Sequence, residues 1–277
     1  MVKWASFEGK TVLVTGASSG IGLSMVHEFA QRKANVVLVA RSRDILEEVA
    51  ISVREKGVQA TVIPMDLGVS TAAKELFDIV ISKGLEIDLL VNNAGYGRWG
   101  KFTDFDRSDY NSMIQLNINT LTELCHLFIT DMIKREHGGI INVASTAAFG
   151  PVPYANVYSA TKAFVLSFSE ALNFECRDQG IHVMALCPGA TESKFLQKAT
   201  EKSAAITSNA SERSSSMRYM TSEAVAKKCL DAFLKGKIYR ITGSDNRIMY
   251  AISKHLSRKT MLNVVGKMFG GLVNQNN

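Results

Sequence analysis

Tyr158-Ser159-Ala160-Thr161-Lys162 sets a phenol and an amine four residues apart. The apolar spacing of Phe164, Phe168, Ala171 and Leu172 beyond it predicts a helix, which stacks both side chains on one face, one turn apart. An isolated tyrosine titrates near about 10 and a lysine near about 10.4, so neither is a good base at neutral pH. A lysine cation roughly 5 Å from the phenol oxygen would favour phenolate by about 3 kcal/mol at an effective dielectric near about 20, or about two pKa units. A second cation, such as the one an oxidised nicotinamide ring carries, would bring the phenol close to neutrality. The pair therefore points to proton transfer coupled to redox chemistry.

Such a pair needs a scaffold. The 277 residues are 46% hydrophobic and 21% charged, which fits a globular chain with a substantial core and argues against disorder. Compact apolar runs at Thr11–Val14, Val36–Ala40, Ala60–Met65, Asp88–Val91, Gly139–Ala144, His182–Leu186 and Lys237–Thr242 read as buried strands. Helical patterns lie between them: after Gly22, through Ile45 to Val53, over 71–83, as one long helix from Tyr110 to Lys134, at Tyr158, and from about Ser222. This alternation predicts an α/β fold of one domain, a doubly wound parallel sheet in three α/β/α layers. Residues 1–246 would form it and 247–277 a basic C-terminal extension. Thr200–Ser216, rich in Ser, Ala and Thr, reads as a lid within about residues 190–220, with a plain surface loop as the alternative.

Between the first strand and helix stands Thr15-Gly16-Ala17-Ser18-Ser19-Gly20-Ile21-Gly22. Glycines there permit a tight turn and let amides at the helix start approach a pyrophosphate. Together with Asn92-Asn93-Ala94-Gly95, Asn117, Ser145, Tyr158-x-x-x-Lys162 and Pro188-Gly189, this loop resembles the motifs of the classical short-chain dehydrogenase/reductase family over roughly residues 7–243. The resemblance implies a Rossmann-type fold and hydride transfer between a nicotinamide and a carbonyl or secondary alcohol. It also implies four catalytic roles. Tyr158 would act as general acid/base, Lys162 would tune it and hold ribose hydroxyls, Ser145 would position the substrate oxygen, and Asn117, rather than nearby Asn119, would hold a relay water.

The same resemblance assigns the cofactor to Gly16, Ser18, Ser19, Gly20, Ile21, Gly22, Asn93, Ala94, Gly95, Pro188 and Gly189, with Asp66-Leu67 beside the adenine. Thr191 and Ser193 compete for the carboxamide contact. Ala40-Arg41-Ser42-Arg43 follows the second strand, where a carboxylate would favour NAD; Arg41 and Ser42 suit the 2′-phosphate of NADP(H), although either arginine could instead cap the next helix. Tyr96, Trp99, Phe149, Tyr154, Phe195 and Leu196 lie in loops at strand ends and favour an apolar carbonyl or alcohol as the small-molecule substrate, with Arg98 available for a carboxylate. The competing class is a dinucleotide-binding sensor or scaffold with vestigial catalysis; the complete Ser, Tyr, Lys and Asn set argues against it.

Four scattered cysteines and five histidines show no metal-ligand spacing, so no metal site is expected and the thiols are expected to be reduced and buried. With no signal-like or spanning apolar run, the expected location is cytoplasmic. The net charge of +6 belongs to the tail: residues 213–277 hold 12 Lys/Arg against 3 Asp/Glu. There Leu262, Val265, Phe269 and Leu272 form a stripe at helical spacing. It predicts a helix packed across the domain or against a partner in a homo-oligomer, ahead of a membrane-surface helix and a disordered end; no nucleic-acid-reading motif accompanies the charge.

Overall fold

Seven of the predicted apolar runs become one parallel sheet ordered β3-β2-β1-β4-β5-β6-β9 in a computed structural model that describes residues 4–193, 195–200 and 219–270. The strands are β1 (Thr11–Thr15), β2 (Asn35–Ala40), β3 (Ala60–Pro64), β4 (Leu89–Asn92), β5 (Gly138–Val143), β6 (Ile181–Cys187) and β9 (Tyr239–Ile241). Short strands β7 (Thr191–Glu192) and β8 (Met220–Thr221) pair separately, in parallel. In β4, β5 and β6 every residue is buried, as a sheet covered on both faces requires. Alternation along β1 sends Val12 and Val14 to one face and Leu13 to the other. Helices α1 (Gly20–Gln31) and α2 (Arg43–Arg54) cover the first face; α3 (Ala72–Ser82), α5 (Leu121–Lys134) and α6 (Asn156–Cys176) cover the second.

Strand order reverses between β1 and β4, so their carboxyl ends diverge and open a crevice. The glycine loop leaves β1 there and Asn92-Asn93 leaves β4. Sequence and topology thus meet at one place.

The predicted helix from Tyr110 to Lys134 is interrupted. An α-helix, α4 (Arg107–Ile114), runs into a π-helical turn at Gln115–Thr120 before α5 begins. Polar side chains hold this turn: Asn117 is committed to Tyr96 and Thr161, and Thr120 Oγ1 donates to Leu67 O at 2.9 Å. The extra residue turns Asn117 inward, as π-bulges do at functional positions.

After the six-residue α7 (Phe195–Thr200), helix α8 (Ser222–Leu234) packs across α1, capped by Thr221, whose Oγ1 accepts from Ala224 N at 3.2 Å. Two helices follow, α9 (Ser244–Ser253) and α10 (Arg258–Gly270). In α10 the residues that meet the domain are Met261, against Gly150, and Val265, in the apolar cluster of Tyr158; Leu262, expected to share that face, stays 43% exposed. The side chain of Phe269, Leu272 and the lid residues 201–216 lie outside the described residues.

All four cysteines are buried and unpaired by disulfides. Among the described residues no group of three or more potential ligands could hold a metal ion, and no helix is long and apolar enough to cross a membrane.

Two left-handed glycines calibrate backbone crowding. Gly9 (φ +70) faces open space, whereas a Cβ on Gly180 (φ +80) would run into the backbone carbonyl of Glu136. Gly9→Ala should cost about 1–2 kcal/mol, the penalty of a left-handed L-residue. Gly180→Ala should cost clearly more in urea unfolding; equal shifts for the two variants would show that the Glu136 backbone yields freely.

Candidate active site

The first turns of α6 carry Tyr158 and Lys162, and both side chains are buried. Lys162 Nζ donates to Val143 O at 2.8 Å, fixing it to the end of β5, and lies 5.8 Å from the centroid of the Tyr158 ring. Ser145, just past β5, accepts from Ala147 N at 3.1 Å and is hydrogen-bonded to the Tyr158 hydroxyl. Thr146 N donates to Pro188 O at 2.9 Å, tying the serine turn to the turn after β6.

Asn117 closes the group from the π-helical turn. Tyr96 N donates to its Oδ1 at 3.2 Å, and its Nδ2 donates to Tyr96 O at 2.9 Å and to Thr161 Oγ1 at 3.1 Å. A Cβ added to Gly95 would stand 2.9 Å from Asn117 Oδ1 and 3.4 Å from Lys162 Nζ, so the two side chains converge on one small space. Asn119 is exposed and bonds to Gln115 instead. The four residues singled out for catalysis are brought together. Thr161, which orients the amide of Asn117, was missed, though it lies inside the Tyr158–Lys162 motif.

Burial governs the electrostatics. It pushes the Tyr158 phenol up to about 12, with the Ser145 hydrogen bond opposing, and pulls Lys162 down to about 8. The expectation that the tyrosine is brought toward neutrality is therefore corrected for the protein alone, where burial sets the direction. One N–H of the ammonium goes to Val143 O, and the phenol sits among Met113, Val152 and Phe195, where a phenolate would lose its hydration. At neutral pH the phenol holds its proton, as a proton donor must.

The glycine loop is shaped by close backbone approach. Gly16 has φ +67, and a Cβ there would lie 2.8 Å from Asn93 Nδ2; one on Gly22 would collide with Gly16 O. Asn93 Nδ2 donates to Thr15 O at 2.9 Å, while Asn93 N and Ala94 N donate to Thr15 Oγ1 at 3.0 and 2.9 Å. Ser19 precedes α1 in extended conformation with no side-chain cap, and no acidic residue stands in the first turn. The amides at the helix start are thus available to an anion, with Ser18 and Ile21 part-buried beside them. These features fit a dinucleotide pyrophosphate.

Other predicted contacts surround this loop. Arg41 is exposed and makes no ion pair among the described residues, and Ser42 caps α2 without a side-chain bond, so both remain available to a phosphate. Asp66 Oδ1 accepts from Gly68 N at 2.9 Å, and Leu67 is buried next to it. Ser193 Cβ would lie 3.3 Å from a Cβ on Gly20, whereas Thr191 Oγ1 turns back to Gly189 O at 3.0 Å. Ser193 is therefore the one of the pair that reaches the loop. Gly189 itself packs against Asn246 of α9.

An apolar cluster packs around the Tyr158 ring, built from Met113, Val152, Tyr96, Trp99, Phe195 and Val265. Phe195 lies 5.5 Å from the tyrosine ring, and a Cβ on Gly97 would come within 2.9 Å of it. Phe149 instead packs on Tyr250 at 4.2 Å, as scaffold. Tyr154 adopts φ +66 and accepts from Gly100 N at 2.8 Å, holding the loop before α6. Arg98 is paired with Asp109 at 2.9 Å and is not free for a substrate carboxylate. The Leu196 side chain lies outside the described residues.

Residues 10–204 match the family model for short chain dehydrogenases. Ketoacyl reductase HetN of Nostoc sp. is 35% identical over 185 residues, covering 65% of this chain and 63% of that protein. The very-long-chain 3-oxoacyl-CoA reductase of Homo sapiens is 36% identical over 194 residues, covering 68% and 61%. The chain thus spans less than two thirds of the length of these relatives. Among solved structures, a short-chain dehydrogenase from Sphingobium yanoikuyae in complex with NADPH superposes with TM-score 0.76 at 28% identity, covering 97% of this chain and 98% of that one. A 7beta-hydroxysteroid dehydrogenase superposes with TM-score 0.81 at 25% identity, covering 94% and 98%. The chain belongs to the short-chain dehydrogenase family, the oxidoreductases built on this nicotinamide-binding fold.

Proposed function

We propose that this protein is an NADPH-dependent reductase of an apolar carbonyl compound, with Tyr158 as its proton donor. The observation that carries the reading is a buried phenol hydrogen-bonded to Ser145, backed by Lys162 and ringed by apolar side chains. A ligand complexed with one structural relative, NADPH, supports the same direction.

Bound NADPH would supply the hydride. Gly16, Ser18, Ser19, Gly20, Ile21 and Gly22 would hold its pyrophosphate, with Arg41 and Ser42 at the 2′-phosphate. Asp66 and Leu67 would lie at the adenine, and Asn93, Ala94, Gly95, Pro188, Gly189, Thr191 and Ser193 along the remainder. Ser145 donates a hydrogen bond to the substrate oxygen and fixes its distance from the phenol. As negative charge develops on that oxygen, the Tyr158 O–H bond breaks and its proton passes to the oxygen, giving the alcohol. Lys162 stabilises the phenolate left behind. Asn117 Oδ1 faces the ammonium across Gly95, where a water could return a proton from solvent. The apolar side chains around the phenol would favour substrates whose carbonyl is flanked by apolar groups.

Purified protein should oxidise NADPH over a panel of ketones and aldehydes, and Tyr158→Phe should reduce the rate by about 100-fold to 10,000-fold, the usual worth of a positioned acid. Turnover that survives this substitution would remove the mechanism. The pH profile offers a separate check. Because Lys162 titrates near about 8 and Tyr158 near about 12, kcat/KM should fall as pH rises through about 8 with the lysine losing its charge. A profile level to pH 10 or so would place that charge outside the mechanism. Arg41→Asp should weaken NADPH by about 10-fold to 100-fold, the worth of a charge-assisted hydrogen bond, and leave NADH nearly unchanged. Equal losses for the two cofactors in fluorescence titrations would overturn the NADP preference.

A further inference from the structure

Helices α9 and α10 each have one side committed to the domain and one that is exposed. On α9, Tyr250 packs against Phe149, and Asn246 Nδ2 donates to Thr242 O at 2.8 Å. The other side carries Ile248, Met249 and Ile252, exposed by 58%, 56% and 49%, and Leu256 follows, exposed, in the turn after the helix. On α10, Met261 and Val265 turn inward, while Leu262 and Val264 flank an outer side bearing Lys259 and Lys267. Six of the 15 large hydrophobic side chains exposed among the described residues fall within 248–264. Isolated exposed apolar residues need no explanation, but a cluster of this density does.

The charge of the same segment is strongly one-sided. No Asp or Glu occurs after Asp245, whereas Arg247, Arg258, Lys259 and Lys267 are exposed with no ion pair among the described residues; Lys254, also exposed, sits over the Tyr250 ring at 4.4 Å. We propose that α9 and α10 together form a docking face for an anionic lipid bilayer. The cations would meet lipid headgroups while Ile248, Met249, Ile252 and Leu256 enter the boundary with the acyl chains. A second copy of this chain fits the face poorly, because a two-fold contact would set its cations against their own copies with Asp245 the one carboxylate on either helix. The helix that meets the bilayer also packs against the apolar cluster around Tyr158, through Val265.

Flotation of the intact chain with vesicles tests this directly and needs no turnover. It should float with phosphatidylcholine–phosphatidylglycerol vesicles and not with phosphatidylcholine alone. Lys259→Glu with Lys267→Glu should cut binding more than about 20-fold, at about fivefold per cation removed at an anionic surface. Ile248→Asp with Ile252→Asp should abolish it while thermal unfolding stays unchanged, since both side chains are already exposed. Flotation that is absent, or equal on the two vesicle types, overturns the proposal. So does a concentration-dependent dimer that Ile252→Asp dissolves without any change in vesicle binding.

Discussion

One side chain crosses the gap on which the site depends. Asn93, leaving β4, reaches over the point where the sheet reverses its winding and donates to the carbonyls of Thr15 and Gly16 at 2.9 and 3.3 Å. Thr15 Oγ1 answers by accepting the amides of Asn93 and Ala94. Two strand ends that diverge are thereby sewn together, and the glycine loop is held open toward α1. The contact tolerates no Cβ on Gly16 or Gly22, because backbone and amide already occupy the space. Hydrogen-bond satisfaction, more than helix propensity, makes those glycines obligatory.

The same economy recurs deeper in the sheet. Asn92 Nδ2 donates to Asn142 Oδ1 at 2.9 Å, and Asn142 Nδ2 donates to Ser169 Oγ at 3.0 Å, joining β4, β5 and α6 through a buried polar line. Buried amides in an otherwise apolar sheet fix register, since a slip of one residue would strand each of them without a partner. The register in turn sets where β5 ends, and Val143 O and Ser145 at that end are what Lys162 and Tyr158 meet. Catalytic geometry is thus inherited from strand pairing.

How much of this could be read from the residues depends on the range of the forces involved. The strands were legible because β-branched runs such as Val36–Val39 report burial on both faces, a property each segment carries alone. Tyr158 and Lys162 were legible because their spacing is local, and Ser145 and Asn117 only through the family motifs they resemble. The π-helical turn was not, since periodicity over Tyr110–Lys134 cannot register one added residue whose cause, Asn117 bonding to Tyr96 and Thr161, lies in other elements. The tyrosine's acidity was misjudged because proximity to a cation was visible while burial was not. Likewise the stripe at Leu262 and Val265 announced a helix without saying that Met261 would be the neighbour to turn inward.

The inserted residue in that π-helical turn also ties the site to the core. Each residue of an α-helix advances the facing direction by about 100°. Had the segment stayed α-helical, the added residue would have turned everything after it by that angle relative to α4, and Leu124, Phe128 and Met132, now buried on α5, would face away from the sheet. The π-helical turn takes up the residue locally, so α5 keeps its phase and the cost of the insertion falls on Gln115–Thr120 alone. Deleting one residue there would heal the helix with α5 still in place, and it is the inward turn of Asn117 that would go.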